Sequence, residues 1–243
     1  MSHSVHPYSH RLGIIRDWKS RWFGVDKQFR TFLKADIIVR EYLTKELRPF
    51  YLSDIQIERN QKALRIVIRS SRPGMIVGRA GDGVVKLHAK LMKLLKKRGV
   101  DLSGQELKID IEEVRNPESN AAIVALMVAE GLEKRLPFRR VMKQALEKVM
   151  ASREVQGVRI KLSGRLGGAD MARQEDLKKG RIPLQTMRAD IDFIREKAHM
   201  TYGDIGIKVW IYKGEIFAKE AKAATVAQAG FAPVSRGGRE RVQ

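Results

Sequence analysis

Apolar side chains repeat along this chain with two periods, and the switches between them mark out its elements. Phe29, Phe32, Leu33, Ile37, Val39 and Leu43 recur at helical spacing, predicting a helix over about 27–47 that stops near Pro49. Ile55-Gln56-Ile57 and Leu64-Arg65-Ile66-Val67-Ile68 alternate with period two, as strands do, and polar residues from Arg59 to Lys62 allow a turn between them. A glycine-rich segment, Pro73 to Gly83, leads into a two-faced helix ending near Arg98. Leu107, Ile109 and Ile111 alternate with Lys108, Asp110 and Glu112, a third strand.

Asn116-Pro117 is the best domain boundary, because Pro117 can start a helix but not continue a strand. A very apolar helix over about 118–134 and, after Pro137, a second helix to about Arg153 come next. Three alternating stretches follow: Val158–Leu162, Met187–Phe193 and Ile205–Ile211. The pattern predicts two α+β domains, 27–115 and 116–217, the second with two helices and a sheet of three or more strands. They are flanked by an irregular segment, 1–26, that carries Trp18, Trp22 and Phe23, and by an Ala-rich, then Gly/Arg-rich tail, 218–243, expected to be disordered.

Charge narrows the partner. The chain has 48 Lys+Arg against 28 Asp+Glu, a formal net charge of +20, most easily tolerated beside a polyanion. The field is densest over 51–100, with 12 basic and 3 acidic residues. Residues 101–150 are near neutral but contain a basic cluster from Lys134 to Lys143. No stretch approaches the roughly 18 apolar residues of a membrane span, and Met1–Pro7 lacks the apolar run of a secretory signal. With no cysteine, disulfides and thiolate metal sites are excluded.

The glycine-rich segment holds a G-x-x-G, Gly78-Arg79-Ala80-Gly81, after a strand and before a helix. Paired glycines let the backbone approach a sugar-phosphate chain, the helix start offers free N–H groups, and Arg79 adds a cation. Val84, Leu87, Leu91, Leu94 and Leu95 share one side of the following helix, while Lys86, Lys90, Lys93 and Lys97 recur on the other, with Asp82 the one acid in the segment to pair with them. The Lys and Ser/Thr of a nucleotide-binding P-loop are missing.

Helix, two strands, the run I-V-G-R-A-G-D-G-V, helix and strand together resemble a type II KH domain over 27–115. Arg11–Ile14, Ser163–Ala169, Gly180–Leu184, Met187–Asp192 and Val209–Glu215 are similar, in order, to the bacterial-type KH proteins of the small-ribosomal-subunit head, the third protein in that subunit's list. The resemblance covers roughly 1–217. It implies a structural, non-enzymatic, cytoplasmic role on small-subunit rRNA, beside small-subunit proteins ten and fourteen, at the channel by which mRNA enters. It assigns rRNA binding to segment 1–26, with Arg11, and to the basic connection of the second half: Arg165 with Gly167 and Gly168, then Arg173, Lys178, Lys179 and Arg181. It assigns KH-loop RNA contact to Gly78, Arg79, Ala80 and Gly81 with Lys86 and Lys90, although the family often has two lysines between the glycines. Its F-R-R-x-M-K segment stands here as Phe138–Lys143, so Arg139, Arg140 and Lys143 inherit contact with the message and ATP-independent opening of its secondary structure. At 100° per residue these three fall within about 100° of arc, apart from Val141, Met142, Leu146 and Val149. Glu147 shares their arc and could pair with Lys143.

Other chemistries find less support. Asp190 and Asp192, two apart on one strand, could hold a metal, but Arg188 on the same face favours internal ion pairing, and no metal or cofactor is expected. His3, His6 and His10 fit no zinc spacing, and no G-x-S-x-G or H-E-x-x-H appears. A nuclease or lyase using scattered Asp, Glu and Lys remains open, as does a free KH regulator. The regulator would leave the glycine-arginine loops of the second half unexplained.

Overall fold

The computed structural model describes residues 5–60, 62–100 and 104–217; His3 and the tail 218–243 lie outside them. It is mixed helix and sheet, in two α+β units. The first unit opens with helix α2 (Asp26–Glu46), which buries Ala35, Val39 and Leu43. Strands β2 (Leu52–Arg59) and β3 (Ala63–Ser70) pair antiparallel, and β4 (Glu106–Glu113) joins β3 in parallel. Between β3 and β4 come the short helix α3 (Pro73–Val77), a tight turn at Arg79–Gly81, and helix α4 (Asp82–Lys97). Ile55, Ile57, Leu64, Ile66 and Ile68 from the strands and Leu87, Leu91 and Leu95 from α4 enclose one core with α2. This is the expected KH order of elements.

In the second unit α5 (Ala121–Glu133) is buried along most of its length, as its apolar composition requires. Asn120 caps it, its side-chain oxygen accepting from Ala122 N at 3.0 Å. Helix α6 (Phe138–Ala151) packs beside it. The sheet is wholly antiparallel, in the order β6-β5-β8-β7, formed by β5 (Gly157–Gly164), β6 (Arg173–Gly180), β7 (Ala189–Met200) and β8 (Gly203–Glu215). Val158, Ile160, Leu162, Ile205, Ile207, Val209 and Ile211 point to the helices and fill the core. The residues alternating with them therefore lie on the opposite face.

Two expectations need correction. The connection containing Arg173, Lys178 and Lys179 is an edge strand paired with β5. Segment 1–26 is not irregular throughout. It forms helix α1 (Pro7–His10) and strand β1 (Ser20–Arg21), which pairs with β2 opposite Ile57 and Glu58.

The N-terminal segment seams the two units together. At the first, Trp22 Nε1 and Ser20 Oγ donate to the buried Asp36 at 2.7 and 3.0 Å. Arg40 donates to Ile55 O at 2.6 Å and Lys19 O at 3.0 Å. At the second, Arg16 pairs with Asp190 at 2.5 Å. Direct contacts add to the seam. Tyr51 donates to Glu130, Arg48 reaches Glu133 at 2.8 Å and Lys197 O at 2.7 Å, and Asn120 Nδ2 donates to Ser53 Oγ at 2.6 Å.

Candidate nucleic-acid interface

The glycine loop depends on three left-handed residues. Gly78 has φ 71°, Gly81 φ 85° and Ala80 φ 52°. For the two glycines this costs nothing steric, whereas Ala80 bears a strain of about 1–2 kcal/mol. The tightest approach is at Gly83, just beyond the motif, where a Cβ would stand 2.3 Å from Ile76 O and 2.9 Å from Val77 O. Gly83 thus lets α4 close against α3 and fixes the loop between them. Gly78, Arg79 and Ala80 are exposed.

The lysine side of α4 is more neutralised than its own segment suggests. Lys86 pairs with Asp82 at 2.8 Å, as its spacing allows, but Lys90 pairs with Glu46 of α2 at 2.7 Å. That acid is 44 residues away in sequence, and no periodicity along α4 points to it. Both pairs are largely exposed, where such contacts contribute about 0–1 kcal/mol, so a phosphate can displace them. His88 lies against Leu107 O at 3.2 Å, a packed role.

On α6, Val141, Met142, Leu146 and Val149 are buried, which turns Arg139, Arg140 and Lys143 to solvent. Among the described residues Lys143 makes no ion pair with Glu147. Arg139 instead meets Glu175 of β6 at 3.3 Å. Arg173 reaches the same carboxylate at 3.3 Å, and both guanidiniums stand over the Phe138 ring, at 5.7 and 5.4 Å from its centroid. Arg173 was expected with the rRNA-binding loop, yet it shares a carboxylate and an aromatic ring with Arg139. Only the strand pairing of β6 brings them together, and the sequence of that stretch, with Leu177 its single apolar residue, gives little sign of a strand.

Arg165 turns back on its own loop. It donates to Ala169 O at 2.8 Å and Tyr202 O at 3.3 Å and meets Asp170 at 3.2 Å. Leu166, 2% exposed, pins the turn in which Gly167 and Gly168 take φ 72° and 82°. Lys178 and Lys179 lie on opposite faces of β6, and Arg181 follows Gly180 at the strand's end, all exposed.

Arg11 corrects the expectation of an RNA contact. It is 0% exposed. Its guanidinium donates to Ala189 O at 2.6 Å, Thr186 O at 2.8 Å, Leu184 O at 2.9 Å and Pro7 O at 3.0 Å. No phosphate can reach it, and its side chain fastens α1 to the second sheet. The acids of β7 are internal too, with partners other than the one expected. Asp190 holds Arg16, Asp192 accepts from Ala121 N at 2.8 Å at the start of α5, and Arg188 pairs with Glu215 at 2.6 Å. Among the described residues no three His, Asp or Glu side chains cluster as a metal site, and no helix is long and apolar enough to cross a membrane.

Comparison with known proteins agrees with this geometry. Residues 38–119 match the KH domain family, and residues 128–211 match the family described as ribosomal protein S3, C-terminal domain. The chain is 46% identical over 224 residues to the small ribosomal subunit protein uS3 of Caldicellulosiruptor bescii, covering 92% of this chain and 97% of that one. It is 45% identical, with the same coverage, to the protein of that name from Caldicellulosiruptor saccharolyticus.

Proposed function

The chain belongs to the uS3 family of small-ribosomal-subunit proteins, and from that membership we propose that it holds small-subunit rRNA through its basic loops while its α6 patch meets incoming mRNA. The observation that carries the reading is the set of Arg139, Arg140 and Lys143, solvent-facing on a helix whose other side is locked in the core. Arg173 extends the patch across Phe138. Helix α6 buries Val141, Met142, Leu146 and Val149, so the cations are presented on a firm support. A row of cations attracts single-stranded RNA through its phosphates, without regard to sequence. It favours the unpaired form of a message at the channel mouth by binding it there, which requires no ATP.

In this reading Gly78–Gly81, with Lys86 and Lys90, is a secondary RNA contact, and Arg165, Gly167, Gly168, Lys178, Lys179 and Arg181 contact rRNA of the subunit head, beside small-subunit proteins ten and fourteen. The role is structural and electrostatic rather than catalytic, within the cytoplasmic small subunit. The test is translation by subunits carrying Arg139→Glu and Arg140→Glu on paired messages, one with a stable hairpin and one without. The hairpin message is expected to slow more. Equal slowing on both would remove the α6 patch from message opening.

A further inference from the structure

The face of the second sheet that turns away from α5 and α6 carries a cation arrangement the basic loops do not account for. Lys161 of β5 lies directly opposite Lys208 of β8, and Lys208 lies directly opposite Arg195 of β7. Three cations thus stand side by side across three strands, at a strand spacing of about 4.8 Å. One step along, Lys178 is opposite Arg159, Arg159 is opposite Trp210, and Trp210 is opposite Phe193. Arg159 meets Asp176 at 2.7 Å and stands over the Trp210 ring at 5.3 Å. Among the described residues Lys161, Lys178, Arg195 and Lys208 make no ion pair; Asp176, directly opposite Lys161 at the end of the row, is engaged with Arg159. Of the described helices only α1 lies on this side of the sheet, beside β7.

Like charges directly opposed on a sheet destabilise it. Lys161, Lys208 and Arg195 therefore act against the fold in isolation, and an anionic partner reverses the sign. Beside them on the same face the surface is apolar: Phe193 is 5% exposed and its ring lies 5.0 Å from that of Trp210. A low-dielectric flank concentrates the field of the cations next to it. Because Phe193 is covered and Trp210 is partly covered by Arg159, bases have no open ring on which to stack. The chemistry recognised is phosphate, not base.

We infer that the row Lys161–Lys208–Arg195 on the open face of the second sheet is a binding surface for the phosphate backbone of small-subunit rRNA, distinct from the α6 patch on the opposite, helix-covered side. The inference rests on the proposed ribosomal role. An acidic protein surface would also be attracted, but it would leave rRNA affinity unchanged when the row is neutralised.

The experiment uses the full chain and purified small-subunit rRNA, with binding measured across a salt series. A Lys161→Gln/Lys208→Gln/Arg195→Gln variant is expected to reduce the slope of log affinity against log salt by about 2–3, since each phosphate contact contributes about 0.7–0.9. Its melting temperature is expected to equal or exceed the parent's, because the opposed charges are gone. A Lys27→Gln/Lys34→Gln/Lys45→Gln variant on α2, equal in charge, is expected to keep the parent's slope. An unchanged slope in the sheet variant, or an equal fall in the α2 variant, overturns the inference. Should the triple variant not fold, Lys161→Gln alone is expected to lower the slope by about 1 and is decided the same way. Failure of the parent chain itself to bind rRNA would instead refute the ribosomal role.

Discussion

Replacing Arg11 with Met tests whether this arginine serves the fold or the RNA. The substitution keeps a long apolar stem and removes the donors to four carbonyls. The acceptors at Ala189 and Pro7 are buried, and each stranded acceptor costs about 1–3 kcal/mol. Those at Leu184 and Thr186 lie nearer solvent, where water can replace the guanidinium. Against these losses, Met relieves the burial of a charge, which already holds the Arg11 pKa below its ordinary value. The balance is a loss of about 2–4 kcal/mol, or about 4–16 °C in melting temperature for a chain of this size. Lys at this position recovers less than half, because a point cation cannot copy a fork of donors. Scanning calorimetry of the purified variants measures the loss, and rRNA binding well below the transition measures the alternative. A variant that melts with its parent but binds rRNA weakly would refute the structural role of Arg11.

Three further outcomes follow from local geometry. Gly83→Ala forces a Cβ against Ile76 O and is expected to cost about 1–3 kcal/mol in urea denaturation; an unchanged midpoint would mean that α3 and α4 separate without penalty. Ala80→Gly releases a left-handed alanine and is expected to raise stability by about 0.5–1 kcal/mol in the same assay, and a fall would contradict the strain. Glu130 has its pKa lowered first by Lys134 and then by the Tyr51 hydroxyl. Its contribution is therefore complete above the ordinary carboxylate pKa, about 4.3, and is lost as pH falls through the lower folded value. Glu130→Gln is expected to flatten that acid limb of the stability profile, and parallel limbs in both proteins would discount the contact.

Much of the architecture was legible from periodicity, because both cores are built from elements with one clearly apolar face. Leu64, Ile66 and Ile68 announce β3, and Val158, Ile160 and Leu162 announce β5, since their neighbours in sequence face away from the core. The misses share a physical cause. Strand β6 lies at a sheet edge and packs only Leu177 against the core, so its sequence records charge rather than alternation. Strand β7 continues through Arg195, Glu196 and Lys197, beyond the expected end at Phe193, because backbone pairing with β8 persists where apolar alternation lapses. Pairings through space were also hidden. Glu46 with Lys90, Glu175 with Arg139 and Asp190 with Arg16 each join elements whose adjacency is a property of the tertiary fold. Arg11 shows the converse, since its motif was legible but the direction of its side chain was not.

The anchoring of Arg11 to Ala189 also sets a clock. The two residues are 178 apart, and at about 5–20 residues per second of synthesis that separation is about 9–36 s. During this interval the first domain can complete its sheet, since β4 ends at Glu113. Strand β1 can already lie along β2, but Pro7, Tyr8 and Arg11 must wait for β7 to be made. Residues 7–11, made well before β7, are thus among the last to reach their places. Closing so long a loop comes late, and the segment around Arg11 latches the two finished units rather than nucleating either of them.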